Sequence, residues 1–288
     1  MSAATPHGST PYYFVPAPSA FPAQAAFGLL LVIFGGGQWV NGHGWAAWVV
    51  LAGFIVWAFV LQQWFRTAIR ESEGGLYSDR IDVSFRWSMS WFIFSEVMFF
   101  GAFFGALFYM RIISVPDLGG LESQALIWPG FKPGWPVSGP GITEQFTPMG
   151  AMGIPALNTL ILLTSGATVT WAHWGLLKNN RSQLIWGLVM TVALGITFLC
   201  FQVYEYMHAY SELNLKLTMG AYGATFFMLT GFHGFHVTVG TLMLIVILFR
   251  SVAGHFRPEH HFGFEGVAWY WHFVDVVWLG LFIFVYWL

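Results

Sequence analysis

Glu96 is the side chain with the most chemistry to offer. It sits inside an apolar run, Trp91-Phe92-Ile93-Phe94-Ser95-Glu96-Val97-Met98-Phe99-Phe100. On a helix its neighbours three and four residues away are Phe92, Ile93, Phe99 and Phe100. An ionised carboxylate is costly in such a place, so an acid there is a functional candidate by default. The apolar shell disfavours its charged form. Two readings stand: a proton or lipid-headgroup site, or an acid hydrogen-bonded to a neighbouring helix. At about 100° per residue, Gly101 and Gly105 fall roughly opposite Glu96. They form a Gly-x-x-x-Gly surface suited to close helix packing. That arrangement predicts that Glu96 faces lipid or a partner protein instead of the tightest helix contact.

Histidines supply the next candidates. His233 and His236 lie three apart in Thr230-Gly231-Phe232-His233-Gly234-Phe235-His236, on nearly one helical face. A closed metal site needs about four ligands, and His173 and Asp275 would have to be recruited from other segments. The plain reading is buried histidines satisfied by hydrogen bonds, with no metal bound. His272 and Asp275, three apart in Trp269-Tyr270-Trp271-His272-Phe273-Val274-Asp275, can pair on one helix. Such a clamp offsets the burial cost of each partner; a proton relay is the alternative. Arg250, His255, Arg257, His260 and His261 cluster near one another, as do Arg66 and Arg70 beside Trp64. Basic groups next to an apolar run attract anionic lipid headgroups, or simply hold a loop on one side of a membrane.

The elements that position these groups follow from apolar run length. About 20 apolar residues span a bilayer, and seven segments qualify. The first two, together residues 23–65, are joined by the Asn41-Gly42-His43-Gly44 turn. Residues 66–86 read as a polar linker with four Arg and four acids. The five further spans begin near Trp87, Ile154, Leu184, Ala221 and Gly266, the fifth span of the chain closing near Tyr204. Residues 114–153 are rich in Pro, Gly and Trp, cannot be regular helix throughout, and are expected at the membrane surface. The tail, residues 1–22, lacks Lys and Arg, so no cleaved signal peptide is expected. With the N-terminus inside, the inner loops hold eight Lys and Arg against three outside. This bias predicts the N-terminus in and the C-terminus out.

Composition excludes other classes. Only 8% of the 288 residues are charged, against roughly 25% in soluble domains, too few to solvate a globular surface. There is no basic stripe for nucleic acid. A single cysteine, Cys200, rules out an internal disulfide and any centre built on two cysteines of this chain.

Several stretches resemble subunit III of cytochrome c oxidase. They are Gln63-Trp64-Phe65-Arg66 with Ile69-Arg70-Glu71-Ser72, Ser95-Glu96-Val97-Met98-Phe99-Phe100, Leu157-Asn158-Thr159 and Thr170-Trp171-Ala172-His173. Thr230 through His236 and His260-His261-Phe262-Gly263-Phe264-Glu265-Gly266 through Trp278 continue the match. The likeness runs from about residue 60 to the end. It implies an all-α integral membrane fold of seven helices, a two-helix unit and a five-helix bundle in a V with a lipid-filled cleft. It implies a subunit without haem or copper, both held by partner subunits. That subunit packs on subunit I in a complex with subunit II, supports proton uptake and protects the complex in turnover. The family's helix-three glutamate maps to Glu96. Its lipid contacts map to Trp64, Arg70, Arg250 and His255. Phe65 stands where a second tryptophan is usual, and a histidine that some relatives carry before span three has no clear counterpart.

Two other functions compete. The equivalent subunit of a quinol oxidase typically lacks the first two helices, which this chain has. An ion-coupled transporter using Glu96 and Asp275 predicts broken helices at the midplane, yet spans four to seven contain no internal proline. The expected location is a bacterial plasma membrane, the mitochondrial inner membrane being the alternative.

Overall fold

The computed structural model describes residues 14–287. Residues 1–13 of the predicted tail and Leu288, the last residue of the predicted seventh span, lie outside the described residues. The helices in order are α1 (Phe21–Val40), α2 (Ala46–Glu73) and α3 (Asp79–Phe108), followed by a π-helical turn (Tyr109–Ser114). Then come the short α4 (Val115–Leu118) and α5 (Leu121–Leu126). The long helices α6 (Ile154–Leu177), α7 (Arg181–Ser211), α8 (Gly220–Ala253) and α9 (Phe262–Leu281) follow, and a second π-helical segment (Phe282–Trp287) continues α9. Among the described residues there is no strand, and seven helices are long and apolar enough to cross a membrane. Backbone groups in lipid must be satisfied within their own segment, which is why apolar runs of this length become helices.

Helices overrun the apolar runs that announce them. Of residues 66–86, only 74–78 are non-helical. Arg, Glu, Ile and Ala sustain the backbone ladder after hydropathy has fallen. The fifth span, predicted to close near Tyr204, continues to Ser211 and takes Glu205 inside the helix. Termini follow capping groups instead. The Gln183 N–H donates to Asn180 Oδ1 at 3.2 Å, opening α7. Gly254 adopts φ +83° and closes α8, with the His255 N–H donating to the Arg250 carbonyl at 3.1 Å.

The chain divides into two compact units, one ending at Phe85 and one beginning at Arg86. In the first, α1 and α2 meet through glycines. A Cβ at Gly53 would lie 2.8 Å from Val32 N, and one at Gly35 would lie 2.9 Å from Val50 N. Such close backbone approach is how helices associate without a hydrophobic drive between them. Trp64 stacks on Phe21 with ring centroids 6.0 Å apart.

In the second unit α9 is central. Trp271, Trp278 and Phe264 are fully buried. A buried indole needs an acceptor for its N–H, and α6 supplies both: Trp271 Nε1 donates to Ser165 Oγ and Trp278 Nε1 to Thr159 Oγ1, each at 2.9 Å. Trp271 lies against two glycines. A Cβ on Gly240 would come within 2.8 Å of its ring, and one on Gly195 within 3.0 Å. Helices α6 and α7 run antiparallel in a tight seam. Gly187 abuts Ala172, Gly175 abuts the backbone of Leu184, and the Thr168 and Thr191 hydroxyls bond at 2.8 Å. The buried face of α7 includes Leu184, Leu188, Thr191, Gly195, Phe198, Gln202, Glu205 and Ala209. That is a coiled-coil seam repeating every three and four residues.

Candidate functional site

The face of α3 turned toward its neighbours carries Met89, Ile93, Glu96, Phe100 and Leu107, at helical spacing. Glu96 therefore points into the bundle. Its Oε2 lies 3.0 Å from His236 Nε2 on α8. The prediction that Glu96 faces lipid or a partner while Gly101 and Gly105 make the close helix contact is corrected. A Cβ on either glycine would meet nothing within 4 Å. The residues of α3 that are buried are Phe100 and Leu107, 2% and 5% exposed, on the other side of the helix from Gly101 and Gly105.

The chemistry of the pair follows from its second contact. His236 Nδ1 lies 2.7 Å from the Phe232 carbonyl oxygen. A carbonyl only accepts, so Nδ1 carries a proton and donates. Nε2 facing a carboxyl oxygen then calls for one further proton shared across the 3.0 Å contact. Acid with neutral imidazole, or carboxylate with imidazolium, are its two forms. Either is net neutral, which suits an apolar setting. Phe99, Phe100 and Tyr270 surround the imidazole, with ring centroids 5.0 to 6.3 Å away. The arrangement can hold one proton and pass it between two groups.

The other sequence candidates go to different partners. His233 is fully buried, and its Nε2 donates to the Val274 carbonyl at 3.2 Å. His173 Nε2 meets His261 Nε2 at 3.2 Å. His272 Nε2 meets Thr170 Oγ1 at 3.1 Å, while its Nδ1 stands 3.9 Å from Asp275 Oδ2. The predicted His272–Asp275 clamp is thus an electrostatic pair beyond hydrogen-bond distance. Asp275 sits directly against Gly166, where a Cβ would collide with it. Both line a groove of about 490 Å³ between α6 and α9. His173, His233, His236 and Asp275 are not gathered. Among the described residues no group of three or more His, Cys, Asp or Glu is placed to hold a metal.

Of the lipid candidates, Trp64 and Arg70 lie on exposed parts of α2. Arg250 lies in the last turn of α8 with its guanidinium carbon 4.5 Å from the Phe256 ring centre, and His255 follows the Gly254 cap. Outside the spans, the Tyr77 hydroxyl donates to Glu71 Oε2 at 2.8 Å. Burial, then that carboxylate, push its pKa up.

Sequence reasoning missed three groups. Arg86 binds Glu265 Oε2 through Nε at 3.0 Å and a terminal nitrogen at 2.8 Å, tying α3 to α9. Arg181 donates to the Ser251 and Val252 carbonyls at 2.8 and 2.7 Å, capping α8 from α7. Glu205 is buried, and the Tyr286 hydroxyl donates to its Oε1 at 2.5 Å. Its position beyond the apolar run hid it. Its three-residue spacing from Gln202, on the face that carries Phe198, was the available signal.

The fold and this pair define a multi-pass helical membrane protein with an internal acid–histidine couple. A sequence model of the family described as cytochrome c oxidase subunit III matches residues 10–288. Relatives named cytochrome c oxidase subunit 3 are similar over 98% of this chain and 98% of their own length. Those from Pongo abelii, Aedes aegypti and Drosophila melanogaster are 40%, 43% and 42% identical. The chain belongs to the cytochrome c oxidase subunit III family. It is a non-catalytic subunit of the oxidase complex.

Proposed function

We propose that this chain is the part of an aerobic cytochrome c oxidase that serves the redox centres of its neighbours. In this reading it packs mainly on subunit I, beside subunit II, and supports the supply of protons to the pumping subunit. It also keeps the complex active during turnover. Haem and copper belong to the partner subunits. The observation that carries the reading is the family match along nearly the whole chain, first two helices included. That extent favours a cytochrome c oxidase over a quinol oxidase.

Glu96 is the proton- or lipid-associated acid of this reading, and its contact with His236 supports a role in holding a proton. Trp64, Arg70, Arg250 and His255 contact phospholipid headgroups. Exposure of Trp64 and Arg70 on one helix supports the first two, and basic groups at helix ends suit anionic lipid. His173, His233, His236, His272 and Asp275 are polar groups with a structural role, His236 also being the partner of Glu96. The N-terminus lies inside and the C-terminus outside, in a bacterial plasma membrane; membrane fractionation separates this from the mitochondrial inner membrane.

The test replaces Glu96 with Gln in the assembled complex. Assembly should persist, while labelling of this subunit by a hydrophobic carbodiimide should be lost. Unchanged labelling assigns the reactive acid elsewhere.

A further inference from the structure

Three buried side chains near one end of the α6–α7 seam make hydrogen-bonding demands that the chain does not meet. Among the described residues, Asn158 Nδ2 and Oδ1, Gln202 Nε2 and Oε1, and Glu205 Oε2 find no hydrogen-bond partner. None of the three residues is more than 4% exposed. They are neighbours by register. The pairings Gly175 with Leu184, Ala172 with Gly187 and Thr168 with Thr191 fix the antiparallel ladder. Continued by helical turns, it sets Asn158 level with Phe201 and Gln202. Glu205 follows Gln202 by three residues, on the same face of α7.

We infer that Asn158, Gln202 and Glu205 form an internal water-binding site within the helical bundle. The donor set selects the ligand. Two amide nitrogens need acceptors, and three oxygens need donors. A cation satisfies only the oxygens. A lipid headgroup has no route to residues this buried. Water donates and accepts, and a buried water makes about three hydrogen bonds, so about two waters serve these five atoms. A polar atom buried without any partner carries its full desolvation penalty, and Gln202 and Glu205 occupy seam positions that Leu184, Leu188 and Phe198 hold elsewhere along α7. The Tyr286 hydroxyl, already on Glu205 Oε1, closes the site on one side and leaves Oε2 for water.

The experiment is cryo-EM of the intact oxidase containing this chain, at a resolution that shows ordered water. Wild type is compared with Gln202→Leu and with Asn158→Leu/Gln202→Leu. The wild type should show about two densities roughly 2.7–3.2 Å from the Asn158 and Gln202 amides and from Glu205. Gln202→Leu should lose at least one of them and release this subunit at lower temperature. The double variant should regain part of that loss, because no amide is then stranded. Should Gln202→Leu fail to assemble, the wild-type densities alone decide. A direct Asn158–Gln202 amide bond without intervening density overturns the site. So does a single density about 2.3–2.6 Å from oxygens only, with both amide nitrogens turned away, since that is a cation.

Discussion

Glu96 and His236 meet across α3 and α8 at 3.0 Å, and the other ring nitrogen of His236 is already committed to the Phe232 carbonyl at 2.7 Å. The imidazole is therefore fixed in orientation, and the acid has one partner that can take or return a proton. His236→Leu keeps the bulk but strands Glu96 in an apolar wall. Leaving a half-buried acid unsatisfied costs about 1–3 kcal/mol. Thermal dissociation of the subunit should register that loss. Glu96→Leu/His236→Leu should be less destabilised than the two single changes together, since contacting residues couple by about 0.5–3 kcal/mol. Strict additivity would show that the two side chains do not interact.

Glycine substitutions separate the packed surfaces from the open ones. Gly240→Ala drives a methyl into Trp271, whose ring a Cβ approaches to 2.8 Å, and overpacking of this kind costs about 1–3 kcal/mol. Gly101→Ala and Gly105→Ala meet nothing within 4 Å. They should leave the helix pairing within this chain intact. Melting of the subunit in detergent checks both. A silent Gly240→Ala would contradict the placement of Trp271.

Arg86 and Glu265 join the start of α3 to the start of α9, with side chains 31% and 17% exposed. Solvent reaches both groups, so the pair is worth no more than about 1 kcal/mol. Arg86→Glu should lower the melting temperature slightly, and Arg86→Glu/Glu265→Arg should restore it. Failure of the exchange to recover stability would show that the contact contributes packing and not charge.

Much of this molecule is legible in its sequence, and the limits have physical causes. Apolar run length located every span, because the bilayer imposes a length on any segment that crosses it. Helix ends were less visible. A hydropathy run stops at the first polar residues, whereas the backbone ladder continues to a cap such as Gly254. That difference kept Glu205 out of its helix. Glu96 stood out as an acid in an apolar run, yet its partner lay 140 residues away, and no local pattern links the two. Rotational register was the weakest point. Gly101 and Gly105 carry a recognised packing pattern, but which face is buried depends on what α8 and α9 present. Glycines that do pack closely, Gly187, Gly195 and Gly240 among them, have no pattern that sets them apart from the rest.

In the proposed reading, these helices support a redox neighbour, and haem and copper sit in other subunits of the oxidase. The direct measurement is to purify the complex in mild detergent, strip this chain away, and record haem spectra of both fractions. The haem should stay entirely with the remaining subunits, which should lose activity faster during turnover than the intact complex. Haem that leaves with this chain, held by its own histidines, would overturn that reading.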